Sequence, residues 1–220
     1  AVRVLTYNIQ QGYSESGLRN FAGQLDLIRS VDADIIGLQE SDTNRIAGGN
    51  ADVVRYLADA LEMHAYHGPK TVAGTFGIAL LSKYPIENPQ TFYMFSEGEQ
   101  TATIAAEINV GGPVFHVFVT HLGNGGPLRQ QEAIMQAAAG KAPLILMGDF
   151  NFRPDSDPYQ LTTAVLDDAW LRLDEADRNP EPSNRIDHIF ISPEVRVESV
   201  RYILDPASDH PAATAVLAVP

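Results

Sequence analysis

Side chains suited to acid–base chemistry and metal binding recur at the ends of short apolar runs in this chain. Carboxylates are the ligands that hard divalent cations prefer, and an imidazole titrates near neutral pH. Amides and imidazoles can donate hydrogen bonds to phosphoryl oxygens. Such a set meets the needs of phosphoester hydrolysis, which requires a cation, an activated water and donors around the phosphorus. The residues are Asn8, Glu40, His121, Asp149, Asn151, Asp187, Asp209 and His210.

Taken singly, most of these residues have an ordinary structural explanation. Asp and Asn are common turn formers at strand ends, and a lone histidine there is more often a satisfied surface or core residue. Turn chemistry explains Asp209-His210 equally well. Asp187 is different, because its alternation with Ile189 and Ile191 predicts that the side chain points into a sheet interior. A carboxylate placed there needs a partner.

The elements that must position these residues are predicted from the spacing of apolar residues. Gly111-Gly112 predicts a hairpin between two strands. Two sheets packed face to face with helices outside bury this pattern economically, so we predict a single α/β sandwich over residues 1–220. The predicted strands are Val2–Ile9, Asp34–Gln39, Ile78–Ser82, Thr101–Val110, Pro113–His121, Leu144–Met147, Ile186–Ser192, Val195–Leu204 and Ala212–Val219, and the predicted helices are Leu18–Val31, Ala51–Met63 with Asn50 or Asp52 as N-cap, and Pro127–Ala139.

The composition narrows the class of protein. Of the 220 residues, 45% are hydrophobic and 20% charged, as in a folded globular protein. The absence of Cys excludes a disulfide scaffold and a thiolate zinc site. With 15 Lys and Arg against 28 Asp and Glu, the formal charge is −13. This acidity disfavours tight nucleic-acid binding, but a cation held by carboxylates can still attract a phosphorylated substrate.

The sequence also bears on membrane insertion and processing. The longest apolar stretches, such as Ala212–Val219, fall well short of the roughly 20 residues that span a bilayer, and no secretory signal is visible. The chain begins at Ala1 rather than Met, as expected for a processed chain or a piece of a longer protein. The compartment and the oligomeric state stay open, with a monomer as the default.

Six short motifs occur in order along almost the whole chain. They are Thr6-Tyr7-Asn8, Gln39-Glu40, Thr120-His121-Leu122, Gly148-Asp149-Phe150-Asn151, Arg185-Ile186-Asp187-His188 and Ser208-Asp209-His210-Pro211. The ordered set resembles the endonuclease/exonuclease/phosphatase superfamily, which includes pancreatic-type deoxyribonucleases, abasic-site endonucleases, sphingomyelinases and inositol-phosphate phosphatases. The resemblance implies a four-layer α/β/β/α sandwich of the deoxyribonuclease I-like type. It also implies one or two Mg²⁺ ions at the sheet edges, with Mn²⁺ as an alternative.

The resemblance further implies roles for individual residues. Glu40 resembles the principal metal ligand of the family, and Asp209 a second carboxylate near the metal, direct or through water. Asn8 resembles an amide that helps to place metal, water or phosphate. His210 is implied as the general base, and Asp187 as the group that orients its ring.

Two assignments stay open at this stage. Asp149 competes with His210 as the group that deprotonates the attacking water. Asn151 and His121 are implied as donors to phosphoryl oxygens. Some family members give this histidine an acidic partner, which we could not place in the sequence.

A finer resemblance lies in three further segments. Leu38–Thr43, Gly48–Asp52 and Gly74–Ile86 are similar to the soluble C-terminal domain of membrane proteins that remodel the lipid of glycosylphosphatidylinositol anchors. This resemblance predicts that the chain is the extracytoplasmic part of a membrane protein.

Two loops next to the motifs are candidates for substrate selection. Ser41–Asn50 contains Arg45, and Gly123–Gly126 precedes Arg129. Plain loops and solvated arginines explain both segments more simply.

The sequence favours Mg²⁺-dependent hydrolysis of a phosphoester by a metal-activated water, with a lipid-linked or small phosphodiester as substrate. A nuclease of the same fold is the first alternative. The acidic charge disfavours it, and so do the positions of the three lysines, none of which is next to a motif. A non-catalytic binding domain is the second alternative, but no metal or base residue is visibly missing.

Overall fold

The computed structural model of the protein describes residues 1–43, 49–68, 77–98 and 100–219. The predicted loop Ser41–Asn50, with Arg45, and the motif Gly74–Ile86 therefore lie partly outside the described residues. The strands are β1 (Val2–Asn8), β2 (Ile35–Gln39), β3 (His64–His67), β4 (Ile78–Ser82), β5 (Ile86–Tyr93), β6 (Ala102–Asn109), β7 (Val114–His121), β8 (Leu144–Asp149), β9 (Asp167–Asp168), β10 (Asp187–Ile191), β11 (Arg196–Ile203) and β12 (Ala212–Ala218), and the helices are α1 (Phe21–Val31), α2 (Val53–Leu61), α3 (Leu128–Ala138) and α4 (Asp157–Thr163).

The strands form two six-stranded mixed sheets. One sheet has the order β11-β12-β1-β2-β4-β3 and the other β5-β6-β7-β8-β10-β9. β1 runs parallel to β2, and β7 runs parallel to β8. The predicted hairpin is present, with Asn109 of β6 paired to Val114 of β7 across Gly111-Gly112. No helix in the described ranges is long and apolar enough to cross a membrane.

Three apolar clusters separate four layers. The inner faces of the two sheets meet in one cluster, which includes Val4 and Val119. Helices α1 and α2 cover the outer face of the first sheet through residues such as Ile28, and α3 and α4 cover the second sheet through residues such as Ile134. The predicted α/β/β/α sandwich is therefore confirmed.

The strands that the sequence pattern missed lie at sheet edges. β3, β5 and β9 are each the last strand of their sheet. An edge strand is half solvated, so β3 and β5 contain too few buried residues to give an apolar run. The short helix α4, with Pro158 in its first turn, was also missed.

The predicted start of the first helix was wrong by three residues. Asn20 caps α1 by accepting the N–H of Gly23, and the helix begins at Phe21. Leu18, which fits the apolar spacing, is 70% exposed and precedes the cap. Of the two proposed caps for α2, Asp52 is the one that accepts a helix N–H, from Arg55.

Strand alternation explains where the polar motifs lie. Val4 and Asn8 share the inner face of β1, as Val119 and His121 do on β7. Met147 and Asp149 have the same relation on β8. The inner apolar face of several strands thus continues into polar residues at one end of the sandwich.

Gly148 makes the closest approach between strands that carry the site. A Cβ atom at this position would lie 2.0 Å from the carbonyl oxygen of Thr120 on β7. We expect Gly148→Ala to lower the free energy of unfolding by about 1–3 kcal/mol, as overpacking does in dense interiors. Gly112→Ala is the matched control, because a Cβ there meets no atom of the described residues within 4 Å, and it should change the free energy of unfolding by less than about 0.5 kcal/mol. Equal denaturant midpoints for the two variants would contradict this explanation.

Candidate active site

The carboxylate of Asp149 lies at the centre of the polar cluster. Asp149 ends β8 and is 1% exposed. Its Oδ2 accepts a hydrogen bond from Asn8 Nδ2 at 3.0 Å, and it lies 3.5 Å from His121 Nε2 and 3.8 Å from His210 Nε2. Its Oδ1 accepts the backbone N–H of Asn151 at 2.9 Å. One buried carboxylate therefore joins four residues that the sequence singled out separately.

His121 has an acidic neighbour that the sequence could not identify. Strands β7 and β8 are paired in parallel, with His121 directly opposite Asp149. This register brings the ring nitrogen to the carboxylate at 3.5 Å. The partner was hidden in the sequence because Asp149 already had another proposed role.

His210 and Asp187 form a close pair. His210 Nδ1 and Asp187 Oδ2 are 2.9 Å apart, which fixes the plane of the imidazole ring. Asp187 faces the interior as predicted and is 1% exposed. It lies opposite Asp149 in the antiparallel register of β10 and β8, and Tyr202 donates to its backbone carbonyl at 2.7 Å.

The clustered carboxylates shift the pKa values of this pair. Burial and repulsion from Asp149 raise the pKa of Asp187 to about 7, although the hydrogen bond with His210 opposes this shift. Burial alone would lower the pKa of His210, but the hydrogen bond and charge of Asp187, with the charges of Asp149 and Asp209, raise it to about 9. The protein without a metal therefore favours the imidazolium form of His210 at neutral pH.

Asn8 holds two carboxylates together. Its Nδ2 donates to Asp149 and also to Glu40 Oε1 at 3.1 Å, while its Oδ1 accepts the N–H of Gln10. Glu40 follows β2 with a left-handed backbone, at φ 46°, and is only partly buried. Glu40 therefore contacts the Asn8 amide from the side nearer to solvent, whereas the buried Asp149 contacts it from the interior.

Asn151 also has a left-handed backbone, at φ 53°. Such a conformation costs about 1–3 kcal/mol outside glycine and is concentrated at functional sites. The Asn151 side chain donates from Nδ2 to the carbonyl of Leu122 at 2.9 Å. Because an amide nitrogen carries two hydrogens, Asn151 Nδ2 has a second N–H besides the one in this hydrogen bond.

The segment that carries His210 is tied to the start of the chain. Ser208 Oγ donates to the carbonyl of Asn8 at 2.7 Å and accepts the N–H of His210 at 3.3 Å. The buried Gln24 Nε2 donates to the carbonyls of Ile9 and Ala207. Sequence reasoning assigned no role to either side chain. The signals were the Ser that opens Ser208-Asp209-His210 and a Gln on the apolar face of α1.

Asp209 lies apart from the buried cluster. It is exposed, and the oxygen that Ser208 Oγ contacts is 3.5 Å away. In the described part of the chain, the three residues whose ligand atoms lie within 4.8 Å of one another are Asp149, Asp187 and His210. The sequence named Glu40, Asp209 and Asn8 for the metal instead, and neither of these two carboxylates belongs to this group.

A second buried network supports the strand that carries Asp187. Arg185 is 4% exposed, and its Nη1 lies 2.6 Å from Asp168 Oδ2, which also accepts the hydroxyl of Tyr159 at 2.7 Å. His188, on the outer face of β10, packs among aromatic rings, and burial lowers its pKa to about 4. His188 is therefore a neutral core residue.

The donor set suits a hard cation. Asp187 Oδ1 is buried and has no hydrogen-bond partner among the residues that the structure describes, and Asp149 adds a second buried carboxylate beside it. Buried carboxylates that lack enough donors are commonly compensated by a cation. These residues could hold a metal ion.

Comparisons with known proteins agree with this geometry. A sequence profile described as the Endonuclease/Exonuclease/phosphatase family matches residues 5–210, a range that contains every site residue above. The sandwich fold and the arrangement of the site together define a class of hydrolytic proteins. The chain belongs to the endonuclease/exonuclease/phosphatase family, and the resemblance found in its motifs is confirmed.

One curated relative is more specific. In an alignment of 158 residues that covers 69% of this chain, the chain is 32% identical to Protein cwh43 of Schizosaccharomyces pombe. The match spans only 16% of that protein. It agrees with the finer resemblance drawn from the sequence.

Solved structures share the fold at low sequence identity. The mannosyl-6-phosphatase Bt3783 of Bacteroides thetaiotaomicron VPI-5482 is 20% identical, with a TM-score of 0.78 over 99% of this chain and 100% of that one. The human Nocturnin catalytic domain with bound sulfate anion is 21% identical, with a TM-score of 0.79 over 100% of this chain and 93% of that one. Both likenesses concern the fold.

The pKa shifts predict distinct titrations for two histidines. In the metal-free protein, the imidazole signals of His210 should titrate with a midpoint near 9, while His188 should stay neutral throughout the neutral range. Asp187→Asn should lower the His210 midpoint, because the hydrogen-bonded charge is lost. Long-range nitrogen–proton NMR of the six histidines measures each midpoint. An ordinary midpoint for His210 in the unaltered protein would contradict the pairing.

Proposed function

We propose that this protein is a divalent-cation-dependent phosphohydrolase that cleaves a phosphodiester by attack of water on phosphorus. The observation that carries the proposal is the convergence of Asn8, His121 and His210 on one oxygen of Asp149. An arrangement of a buried carboxylate, donors and an oriented imidazole can position water and stabilise phosphoryl charge. Membership of the family supports the reaction class.

We assign the cation to Glu40 and Asp149, together with the buried oxygen Oδ1 of Asp187. Of these, Glu40 and Asp149 are linked through Asn8. They are hydrogen-bonded to the same amide nitrogen of Asn8, and Glu40 faces the open side of the site. Asp209 lies at the surface beside His210 and can contribute directly or through water. Mg²⁺, or Mn²⁺ in its place, would supply neutralisation of phosphoryl charge and a more acidic bound water. Asn8 then acts by positioning both carboxylates, since its Oδ1 accepts the Gln10 N–H.

Of the clustered residues Asp149, Asp187 and His210, His210 is the one least suited to bind a metal ion. Its Nδ1 is engaged by Asp187, and the raised pKa favours the imidazolium form. An imidazolium has no lone pair for a metal, because ligation requires the neutral ring. We therefore assign His210 to the substrate rather than to the cation.

The same electrostatics favour Asp149 as the group that takes the proton from water. A general base must be unprotonated at the working pH, and His210 is held protonated by its acidic neighbours. Asp149 Oδ2 lies between His121 and His210, where an attacking water could be held. In this assignment the imidazolium of His210, the second N–H of Asn151 and the His121 ring donate to phosphoryl oxygens.

The substrate class follows from charge and from the finer resemblance. A formal charge of −13 and three lysines do not suit a long polyanion. The match to Protein cwh43 and the resemblance to domains that remodel anchor lipids both support a lipid-linked or small phosphodiester. A nuclease would instead bind and cleave plasmid DNA with an affinity that falls steeply as the salt concentration rises.

Single substitutions at the cluster should abolish turnover without unfolding the protein. Asp149→Asn and His210→Ala should each lower kcat about 10²–10⁴-fold on bis(p-nitrophenyl) phosphate with Mg²⁺. EDTA should abolish the activity, and Mn²⁺ should restore it. His116→Ala is the matched control, because this half-buried histidine pairs with Glu107 at the other end of β7 from His121. Unchanged turnover in both site variants, with circular dichroism intact, would overturn the proposal.

The pH dependence distinguishes the two candidate bases. If Asp149 is the base and protonated His210 a donor, kcat should fall as pH rises through the His210 pKa. Asp187→Asn lowers that pKa, so the alkaline fall should move to lower pH. A rate that instead rises with pH through the His210 titration would assign the base to His210. Steady-state kinetics across pH, with saturating Mg²⁺, give this profile.

A further inference from the structure

A large pocket opens beside His121. Its volume is about 1010 Å³, at the upper end of the range for small-molecule sites. Strands β7, β8 and β10 are neighbours in that order, so His121 and Asp187 lie on opposite sides of Asp149. The pocket thus extends the site on the side away from the His210–Asp187 pair. Its lining includes Phe95, His121, Leu122, Pro127, Leu128 and Arg129.

Backbone groups of the pocket lining join it to the end of β8, the strand that carries Asp149. The N–H of Leu122 donates to the Asp149 carbonyl at 3.0 Å, and the Leu122 carbonyl accepts from Asn151 Nδ2 at 2.9 Å. One wall is therefore held by the strand end that carries Asp149. A phosphoryl group bound at Asp149 would have its substituent at the mouth of the pocket.

Several polar groups of the lining are used to hold the walls together. Gln130 is 2% exposed, and its side chain donates to the Phe95 carbonyl at 2.9 Å while accepting the Gly123 N–H at 2.8 Å. Gln100 donates to the Met94 carbonyl at 2.7 Å. These side-chain amides hydrogen-bond to backbone groups of the pocket walls, so these bonds stabilise the pocket and do not serve a bound ligand. A polyhydroxylated ligand would need these amides as hydrogen-bond partners for its hydroxyl groups.

The apolar lining residues Phe95, Leu122, Pro127 and Leu128 share the pocket with polar residues such as Glu97, Thr101 and Asn124. Part of the apolar lining contacts water, since Phe95 is 67% exposed and Leu128 is 40% exposed, whereas Leu122 is buried. Large apolar side chains exposed around a concavity mark a site for an apolar ligand. Among the described lining residues, Phe95 is the one phenyl, indole or phenol ring, so a base has no second such ring to stack against. The shape and chemistry favour a flexible hydrocarbon.

We propose that this pocket binds an alkyl or acyl chain attached to the phosphoester, with Phe95 and Leu128 as the residues that recognise it. The inference rests on the proposed function, because it places the phosphoryl group at Asp149. It adds the class of substituent and the surface that selects it. Arg129 also lines the pocket and adds a positive charge that would attract an anionic head.

The test measures binding instead of turnover. Ethyl-, butyl-, hexyl- and octylphosphonate carry a carbon–phosphorus bond that hydrolysis does not cleave, and each is titrated into the Mg²⁺-loaded protein by calorimetry below its micellar concentration. Full burial of one methylene tightens binding about fourfold, so we expect at least about a tenfold gain from ethyl to octyl. The double variant Phe95→Ser, Leu128→Ser should lose most of this gain. Leu171→Ser, at a 55% exposed leucine after β9, should keep it.

Two results would overturn the inference. One is an affinity that does not depend on chain length, or that depends on it equally in the double variant. The other is tighter binding of nucleoside monophosphates than of octylphosphonate, which would indicate base stacking on Phe95. The outcome is separable from the proposed function: absence of hydrolysis on every phosphoester would overturn the function, whereas the chain-length series tests the pocket itself.

Discussion

A buried carboxylate at the end of a central strand is the constraint on which the site depends. Asp149 is 1% exposed, and a charge in that position is tolerated only where donors or counter-charges surround it. Its two oxygens contact a side-chain amide and a backbone N–H, with two imidazoles close to Oδ2. The donors come from both sheets and from the loop before β12. Assembly of the sandwich therefore also assembles the site.

Electrostatics connect this constraint with the proposed chemistry. Asp187 and Asp149 are adjacent buried carboxylates. Burial and their repulsion raise the pKa of Asp187, and the charges of both raise the pKa of His210 against the opposing effect of burial. A cation would relieve the repulsion, so a bound metal ion would stabilise this cluster. The left-handed backbones of Glu40 and Asn151 add local strain at the same place. The pocket beside His121, with its exposed Phe95 and Leu128, contrasts with this polar centre, and the proposed substrate, a charged head with an alkyl substituent, would use both.

Much of the architecture could be predicted from residue patterns. Central strands such as β1 and β8 are apolar on both faces, since one face meets the other sheet and the other meets helices. Edge strands β3 and β5 are half solvated and carry no such signal, so they were missed. The start of α1 was misplaced because Leu18 continues the apolar spacing past the Asn20 cap, and local hydrogen bonding decided the boundary.

The sequence by itself determined the family, the sandwich, and the residue types available for chemistry, because six ordered motifs and strand periodicity are local properties. It also determined that Asp187 faces inward, since alternation along one strand needs no partner. Only the tertiary structure decided which groups meet. The pairing of His121 with Asp149 depends on the register of β7 and β8, and the clamp of Ser208 on Asn8 joins positions 200 residues apart. The shift in the His210 pKa and the pocket between two loops have the same cause. Charges, hydrogen-bond donors and apolar side chains act on one another through space, and packing, not sequence spacing, sets the distances between them.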